Sequence, residues 1–452
     1  MTTLAAGKGT FAGGVHPPER KELAPGTLIE VLPTPSEVRV PLLQHLGAPC
    51  EATVKARAKV ALGDMVGKPT GFVSAPVHAS VSGTVGRLSV ATLPNGRHVG
   101  AVPITSSEQQ PLSGVALMDD IFGGEWPVGD VERYEPKAIA DAAQEAGLVG
   151  LGGAAFPTHV KLRPSEERPI DTLLINGCEC EPYLTSDDGL MLRFPAPVIA
   201  GALLAKHAVG ADRVIVCVER NKPGAAGALA RAAEGTGIRV RLLKTKYPQG
   251  GEKQLTVAVL GREVPTGGLP LDIGAVVLNV GTAASLARAV LRGKPLTHRI
   301  VTVSGAGIRH PKNLLVPIGT AYRNLVEYCG GLTPDAARAV AGGPMMGFAL
   351  GSLDVPVTKG TSGLTVLTRD EVRRAEETTC VRCGRCVDAC PLRLVPTKIA
   401  LASRAGDLDL AQRYHMTACM ECGCCAYVCP ASVPLVQLIR LGKAELQKAK
   451  KS

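Results

Sequence analysis

The C-terminal part of the chain contains one cysteine pattern twice, and this repeat constrains the fold of the region more than any other feature. The first copy runs from Cys380 to Pro391 and the second from Cys419 to Pro430. In each copy, three thiolates spaced by two residues can wrap one face of an iron–sulfur cubane, whereas the fourth thiolate points away. The repeat therefore predicts two [4Fe–4S] clusters, each with one ligand from the other copy. The predicted ligand sets are Cys380, Cys383, Cys386 and Cys429 for one cluster, and Cys390, Cys419, Cys422 and Cys425 for the other.

Zinc is the competing metal for four cysteine thiolates. A zinc ribbon contains two CxxC pairs, however, and not two four-cysteine runs that each end in proline. Cys424 lies inside the second run, and the regular spacing predicts that it is not a ligand. The cysteines outside the region have no partners at metal-binding spacing, namely Cys50, Cys178, Cys180, Cys217 and Cys329. The pattern favours iron–sulfur ligation.

The composition is that of a globular protein without a membrane span. The 452 residues suffice for two to four domains, with 45% hydrophobic and 20% charged residues. The longest uncharged apolar stretch, around Ile273 to Ala287, is too short for a bilayer. The N-terminus lacks the apolar core of a signal peptide, so we expect a cytoplasmic protein. The net charge of +10 suits an acidic partner, an anionic surface or an ordinary solvated surface, and we expect no nucleic-acid partner.

Changes in pattern along the chain predict a multidomain protein of the α/β and α+β classes. Short apolar runs between Gly, Pro and Asn indicate a small all-β module, and alternating helical and β-branched segments indicate a layered α/β domain. The predicted segments are an N-terminal arm (1–28), a β module (29–105), a linker (106–130), an α/β domain (131–297), a small α+β module (298–370) and a cysteine-rich helical domain with a basic C-terminal helix (371–452).

The β module resembles the barrel-sandwich fold of biotinyl and lipoyl carriers. Such carriers present a modifiable lysine at a hairpin tip, whereas the corresponding stretch here is Ala75-Pro76-Val77-His78. The missing lysine favours a structural module.

A glycine cluster in the α/β domain is the first candidate ligand site. Gly150-x-Gly152-x-x-Ala155 formally matches the dinucleotide fingerprint, but it follows a helical run where that fingerprint requires a strand. Glycine backbone N–H groups followed by a cation can nevertheless bind a phosphate. The predicted phosphate-binding residues are Gly150, Gly152, Gly153 and Lys161.

Three further motifs place polar residues at predicted strand ends, where ligand sites form in α/β domains. Asn176, Glu179 and Glu181 follow one strand, Tyr247, Gly250 and Glu252 follow another, and Asn279 and Thr282 follow a third. Taken together with the glycine loop, these motifs resemble the flavoprotein subunit of respiratory complex I. The resemblance implies a non-Rossmann site for FMN and NAD(H), with Glu181 and Glu252 as catalytic residues and the others as cofactor-binding residues. Gly251 stands where that family has a glutamate.

The chain is also similar, over nearly its whole length and in the same order, to the C subunits of the membrane-bound Rnf ferredoxin:NAD⁺ oxidoreductases. The similar segments are TFAGGVHPPERKE, GFVSAPVHASVSGTV, GGAAFPTHVKL, INGCECEPY, AVAGGPMMG and the doubled cysteine run. This resemblance implies a β-grasp module of the SLBB type at 298–370. It also implies an ion-translocating complex on the cytoplasmic face of the membrane, with membrane subunits, an iron–sulfur subunit and ferredoxin as partners.

The implied activity is electron transfer between NAD(H), FMN and the two clusters, because a flavin exchanges both hydrides and single electrons. One alternative is a cobalamin reductase-like flavin and iron–sulfur protein, although the N-terminal region disfavours it. Another is an electron relay without a nucleotide site. The C-terminal helix, with Leu435, Leu438, Ile439 and Leu441 on an apolar stripe, is expected to pack on protein more than on lipid.

Overall fold

The computed structural model of the chain describes residues 7–127, 129–165, 167–372 and 376–449. Small β-sheets, a parallel α/β sheet, a mixed sheet and a helical cysteine-rich region follow one another, as the sequence predicts.

The N-terminal arm lies across two later parts of the chain. Val15 forms a bridge with Tyr247 in the α/β domain, and the Gly14 N–H donates to the Ala389 carbonyl in the cysteine-rich region at 2.9 Å. After a short 3-10 turn, strand β1 (Ile29–Val31) pairs in parallel with Lys312–Pro317 of the α+β module. The first strand assigned by sequence to the β module is therefore part of a different sheet.

The β module consists of two small antiparallel sheets with a core rich in valine. Its strands are β2 (Glu37–Pro41), β3 (Cys50–Ala52), β4 (Lys59–Val60), β5 (Met65–Pro69), β6 (Val77–His78), β7 (Gly83–Val85), β8 (Ser89–Thr92) and β9 (His98–Ser106). One sheet has the order β2-β9-β7-β4, with β8 on β9, and the other has the order β3-β5-β6. Residues 74–81 are all buried, so the hairpin tip is not presented to solvent as a carrier tip would be.

The segment predicted as a linker contains a packed helix, α1 (Gly114–Phe122). Leu117, Met118 and Ile121 are buried because their helical spacing places them on one face. Asp120 of this helix accepts a hydrogen bond from Arg288 at 2.9 Å. The segment therefore forms part of the α/β domain's surface layer.

The α/β domain is built on a parallel four-stranded sheet. Its elements are α2 (Pro136–Glu145), α3 (Thr158–Lys161), β10 (Thr172–Gly177), α4 (Ser186–Arg193), α5 (Pro195–Val209), β11 (Arg213–Glu219), α6 (Pro223–Ala232), β12 (Arg239–Leu243), α7 (Glu252–Leu260), β13 (Ala275–Asn279) and α8 (Val280–Arg292). The strand order is β12-β11-β10-β13. The two strands β10 and β13 are buried runs rich in Leu, Ile and Val, as expected for a parallel sheet covered by helices.

The α+β module carries a six-stranded mixed sheet to which the arm contributes one strand. The module's own elements are β14 (His298–Ser304), β15 (Lys312–Pro317), α9 (Tyr322–Tyr328), β16 (Ala336–Ala341), β17 (Phe348–Ala349) and β18 (Gly363–Thr368). The strand order is β1-β15-β14-β18-β16-β17. Helix α9 buries Tyr322, Leu325 and Val326 in the core of the module.

Buried Lys359 joins three parts of the molecule. Only 1% of this residue is exposed, and its amine donates to the carbonyls of Pro76 in the β module and Gly147 in the α/β domain, both at 2.6 Å. Burial lowers the pKa of Lys359 to about 7. A neutral amine has two N–H groups, which these two carbonyls match.

Replacing Lys359 with methionine is expected to lower the melting temperature, because two buried carbonyls lose their donor at about 1–3 kcal/mol each. Between pH 7 and the ordinary lysine pKa of 10.5 the folded protein binds fewer protons than the unfolded chain, so the parent gains stability as the pH rises. The difference in melting temperature between the parent and the variant should therefore grow as the pH rises across this range. Lys68→Met, at an exposed lysine, is the control; a deficit independent of pH would contradict a neutral Lys359.

The cysteine-rich region is helical along much of its described length. Its helices are α10 (Arg385–Asp388), α11 (Pro396–Arg404), α12 (Leu408–Arg413), α13 (Cys424–Tyr427) and α14 (Leu435–Ala449). Helix α14 packs on α11 and buries Leu435, Val436 and Ile439, whereas Leu441 is 47% exposed. The predicted packing of the C-terminal helix on protein is confirmed. Within the described ranges no single helix has the length and hydropathy to cross a membrane, and one sharply bent pair, α4 with α5, meets those criteria jointly.

Candidate functional site

Two asparagines lie side by side where neighbouring strands of the parallel sheet end. Asn176 of β10 is the direct register partner of Asn279 of β13. The Asn176 amide donates to the Gly250 carbonyl at 2.8 Å, which connects β10 to the loop after β12. The Asn279 side-chain oxygen accepts from the Gly281 N–H at 2.8 Å and thereby caps helix α8. The sequence prediction placed both residues at strand ends, and the structure brings them together.

The glycine loop folds over the first turn of helix α8. Val149 and Pro157 form a bridge at the base of the loop, and the Leu151 N–H donates to the Thr282 hydroxyl at 3.0 Å. A Cβ atom at Gly152 would lie 3.2 Å from the Asn279 side chain, and a Cβ atom at Gly153 would meet open space. Exposed glycine backbone next to a helix start and a nearby cation fit the phosphate of a flavin nucleotide.

Lys161 and Glu252 form an ion pair beside strand β13. The Lys161 amine contacts the Glu252 carboxylate and donates to the Val277 carbonyl at 3.1 Å. Glu252 is the first residue of helix α7, and its side chain is 43% exposed. A predicted phosphate-binding cation and a predicted catalytic carboxylate are thus in direct contact.

Glu179 uses its carboxylate within the protein. Its oxygens accept hydrogen bonds from the Ser186 hydroxyl and from the N–H groups of Asp187 and Asp188, at distances of 3.1, 2.8 and 3.1 Å. These donors belong to the first turn of helix α4, so Glu179 neutralises the start of that helix. The sequence predicts a cofactor-binding role for Glu179, whereas its contacts are those of a helix cap.

Glu181 is covered by the loop between β16 and β17. Its carboxylate accepts from the N–H groups of Met345 at 3.1 Å and Met346 at 2.8 Å. Burial raises the pKa of Glu181 to about 7, although these N–H groups oppose the shift. The AVAGGPMMG segment therefore has a specific position next to a predicted catalytic residue.

Tyr247 points toward the cysteine-rich region. The side chain is almost completely buried, and its hydroxyl donates to the carbonyl oxygen of Cys422 at 2.7 Å. Burial raises the pKa of Tyr247, so the phenol keeps its proton. A residue predicted to bind the cofactor is therefore in contact with the segment that contains predicted cluster ligands.

Two charged residues near the glycine loop were missed by sequence reasoning. Asp187 accepts a hydrogen bond from the Asn279 amide at 2.6 Å, and the Arg299 guanidinium donates to the Leu151 carbonyl at 3.3 Å. Burial raises the pKa of Asp187 and lowers that of Arg299 to about 10. Asp187 follows the INGCECEPY motif and could have been inferred from it, whereas Arg299 comes from β14 of another module and has no local sequence signal.

One of the two predicted cluster sites is visible as a cavity. Cys390 from the first run lies with Cys419, Cys422 and Cys425 from the second run around a single cavity, whose other walls include Pro391, Leu392 and Ile399. These are the four cysteines that crossed ligation predicts. Cys424 lines the same cavity and contacts Cys422, so its exclusion from the ligand set stays a prediction.

The cysteine geometry suits a cluster better than a single metal ion. Zinc needs its donors converging at about 2.0–2.3 Å on one point. A cubane presents a separate iron to each thiolate, so its ligands surround a larger volume, and a cavity enclosed by thiols and apolar side chains fits that donor set.

Comparison with protein-family models divides the chain as the architecture does. The matches are to the RnfC barrel sandwich hybrid domain (residues 9–109), the Nuo51 FMN-binding domain (143–288), the SLBB domain (300–349) and the 4Fe-4S dicluster domain (373–430). They confirm the predicted fold class and the predicted FMN and [4Fe–4S] clusters. A chain of an NAD⁺-reducing [NiFe]-hydrogenase in the H₂-reduced state has a similar fold, with a TM-score of 0.50 and 21% identity over 72% of this chain and 69% of that one.

Curated relatives match almost the entire sequence. The C subunit of the proton-translocating ferredoxin:NAD⁺ oxidoreductase complex of Clostridium ljungdahlii is 42% identical over 96% of this chain and 94% of its own length. The C subunit of the Na⁺-translocating complex of Acetobacterium woodii is 43% identical over 97% of both chains. The C subunit of the ion-translocating oxidoreductase complex of Rhodobacter capsulatus is 41% identical over 97% of this chain and 83% of its own. The protein with these folds and this pair of sites belongs to the family of C subunits of Rnf-type ion-translocating oxidoreductase complexes.

Proposed function

We propose that the chain is the subunit of a membrane-associated ferredoxin:NAD⁺ oxidoreductase at which electrons pass between NAD(H) and the iron–sulfur clusters. One observation carries this proposal. We call the glycine loop, Lys161 and the strand-end asparagines the flavin site. The loop from Tyr247 to Glu252 contacts this site because Gly250 binds Asn176 and Glu252 binds Lys161. The same loop contacts the cysteine-rich region, because Tyr247 binds Cys422. A single short segment thus connects a nucleotide site with a cluster site.

The residues around the flavin site have distinct tasks in this proposal. FMN, when bound, exchanges two electrons as a hydride with NAD(H) and single electrons with clusters. The exposed backbone of Gly152 and Gly153 would hold the flavin phosphate with Lys161 as the cation, whereas the Gly150 N–H already donates to the Phe156 carbonyl at 2.8 Å. Asn176, Asn279 and Thr282 hold the loops that surround it, through the hydrogen bonds described above.

The two carboxylates act on the nucleotide in different ways. Glu252 keeps Lys161 in place and is open enough to orient a nicotinamide. Glu181, whose pKa lies near neutrality, is half-buried, and its carboxylate is held by the N–H groups of Met345 and Met346. We therefore propose that Glu181 influences the polarity around the flavin and that Glu252 contacts the nucleotide.

The partners follow from the family. The relatives are named as C subunits of ferredoxin:NAD⁺ oxidoreductase complexes, which supports other subunits of such a complex as partners. We propose that these partners are membrane subunits and an iron–sulfur subunit, and that the electrons come from ferredoxin. NAD(H) is a cytoplasmic substrate, and we place the chain on the cytoplasmic face of the membrane for that reason. The N-terminal module is included in the match to the relatives, which favours this function over a cobalamin reductase.

The test is reduction of ferricyanide by NADH with the purified, flavin-loaded chain. We expect activity in the parent and a loss of both flavin and activity in Lys161→Ala, with the iron content unchanged because phosphate and cluster sites lie in separate domains. Lys137→Ala, at an exposed lysine of the same domain, is the control. A parent that binds flavin but does not oxidise NADH would be an electron relay without a nucleotide site, and the proposal would be wrong.

A further inference from the structure

The α/β domain approaches the cysteine-rich region next to the cavity lined by Cys390, Cys419, Cys422 and Cys425. Besides the bond from Tyr247 to Cys422, the Gln254 amide of helix α7 donates to the carbonyl of Pro391, the residue after Cys390, at 3.4 Å. Gly251 lies so close to Met420 that a Cβ atom there would be 2.9 Å from the methionine methyl carbon. All three contacts reach residues that line this cavity.

Two other segments also contact the cysteine-rich region next to this cavity. A Cβ atom at Gly423 would lie 2.6 Å from the carbonyl oxygen of Met345, in the loop that also covers Glu181. The Arg440 side chain donates to the Met346 carbonyl at 3.1 Å, and the arm approaches through Gly14 and Ala389. The cysteine-rich region around this cavity is therefore contacted by the arm, the α/β domain and the α+β module.

The first cysteine run has different surroundings. Residues 381–385 are all exposed, Cys383 among them, and Val381 is 66% exposed. Cys386 contacts Thr397, which also belongs to the cysteine-rich region. This part of the run faces solvent, whereas residues that line the cavity of the other cluster contact Tyr247 and Gln254 of the α/β domain.

We propose that the two clusters have fixed and different positions in the electron path. The cluster of Cys390, Cys419, Cys422 and Cys425, which we call the inner cluster, exchanges electrons with the flavin site. The cluster of Cys380, Cys383, Cys386 and Cys429, the outer cluster, exchanges them with a one-electron carrier protein. The inference rests on the proposed function. For each electron that enters, the carrier is oxidised by one electron, and two such electrons with one proton convert NAD⁺ to NADH.

Tyr247 is the positioning residue between the flavin site and the inner cluster. Its hydroxyl donates directly to a residue of the ligand set, Cys422, and its backbone is paired with Val15 of the arm. Hydrogen bonds and solvent access around a cluster change its reduction potential. Removing this hydroxyl should therefore change the inner cluster while the outer cluster stays the same.

The order is tested by oxidising the chemically reduced, flavin-loaded full chain with NAD⁺ and following both clusters by freeze-quench EPR. In Cys383→Ser, which lacks the outer cluster, the inner cluster should be oxidised as fast as in the parent. In Cys422→Ser, which lacks the inner cluster, the outer cluster should stay reduced. Equal oxidation of the remaining cluster in both variants would overturn the order. A parent in which NAD⁺ oxidises neither cluster would overturn the proposed function, and the order with it.

Tyr247→Phe keeps the ring and provides a second test that does not depend on removing a cluster. Redox titration monitored by EPR should show a shifted potential for the inner cluster and an unchanged potential for the outer cluster. Tyr427→Phe, at a 44% exposed tyrosine of the second run, is the matched control and should shift neither. A shift of the outer cluster alone would assign the two clusters in the opposite order.

Discussion

Replacing Cys390 with serine is expected to remove the cluster of the second cysteine run, although Cys390 belongs to the first. The side chain lines one cavity with Cys419, Cys422 and Cys425, and a serine hydroxyl is a poor substitute for a thiolate ligand. The iron and the acid-labile sulfide should each fall from about eight to about four per chain, as two four-iron clusters require. EPR of the reduced protein should show that the remaining signal is that of the first run.

Cys429→Ser is the reciprocal variant. Cys429 is the last cysteine of the second run, but it is predicted to complete the cluster of the first run. Its replacement should therefore keep the EPR signal of the second-run cluster and remove that of the first-run cluster. Cys329→Ser, at a buried thiol of the α+β module, should keep the full iron content. If Cys390→Ser instead removed the first-run signal and spared the second, each run would close its own cluster and the crossed assignment would be wrong.

Gly201→Ala is expected to destabilise the α/β domain and to release flavin. A Cβ atom at Gly201 in helix α5 would lie 1.7 Å from the carbonyl oxygen of Ala283 in helix α8. The obstacle is backbone, which cannot rotate away, so the helices must separate. Overpacking of this kind costs about 1–3 kcal/mol and occasionally more. Helix α8 is capped by Asn279 and carries Thr282, which hold the glycine loop, so its displacement should also lower flavin occupancy.

Gly227→Ala is the matched control because it lies inside helix α6 with room for a methyl group. The nearest atom to its Cβ position is a guanidinium nitrogen of Arg231 at 3.5 Å. This change should raise stability by roughly 0.5–1 kcal/mol, since glycine is a poor residue for a helix interior. Thermal unfolding and the flavin-to-protein ratio measure both variants. A Gly201→Ala protein that melts like the parent would show that α5 and α8 do not approach as closely as described.

The cysteine runs and the FMN domain could be predicted from the sequence because their chemistry is local. Four thiolates between Cys380 and Cys390, followed by a proline, restrict a segment to a few arrangements around a cluster, whatever the rest of the chain does. The positions of the strand-end asparagines could also be predicted from the sequence, since a buried apolar run followed by a polar residue marks the carboxyl end of a parallel strand. The missing lysine at the Ala75–His78 tip likewise favoured a structural module, and that tip is buried.

Tertiary structure alone decided what the predicted side chains contact. Glu179, Glu181 and Tyr247 belong to motifs of one site, yet they cap a helix, receive N–H groups from the α+β module and bind a carbonyl in the cysteine-rich region. The same holds for strand β1, which pairs with the distant strand β15 and places Ile29 opposite Asn313. Local sequence cannot encode such choices, because each depends on the burial and hydrogen bonding of residues supplied by a distant segment. The sequence by itself determined which cofactors the chain binds, and the packing of its domains determined which residues connect them.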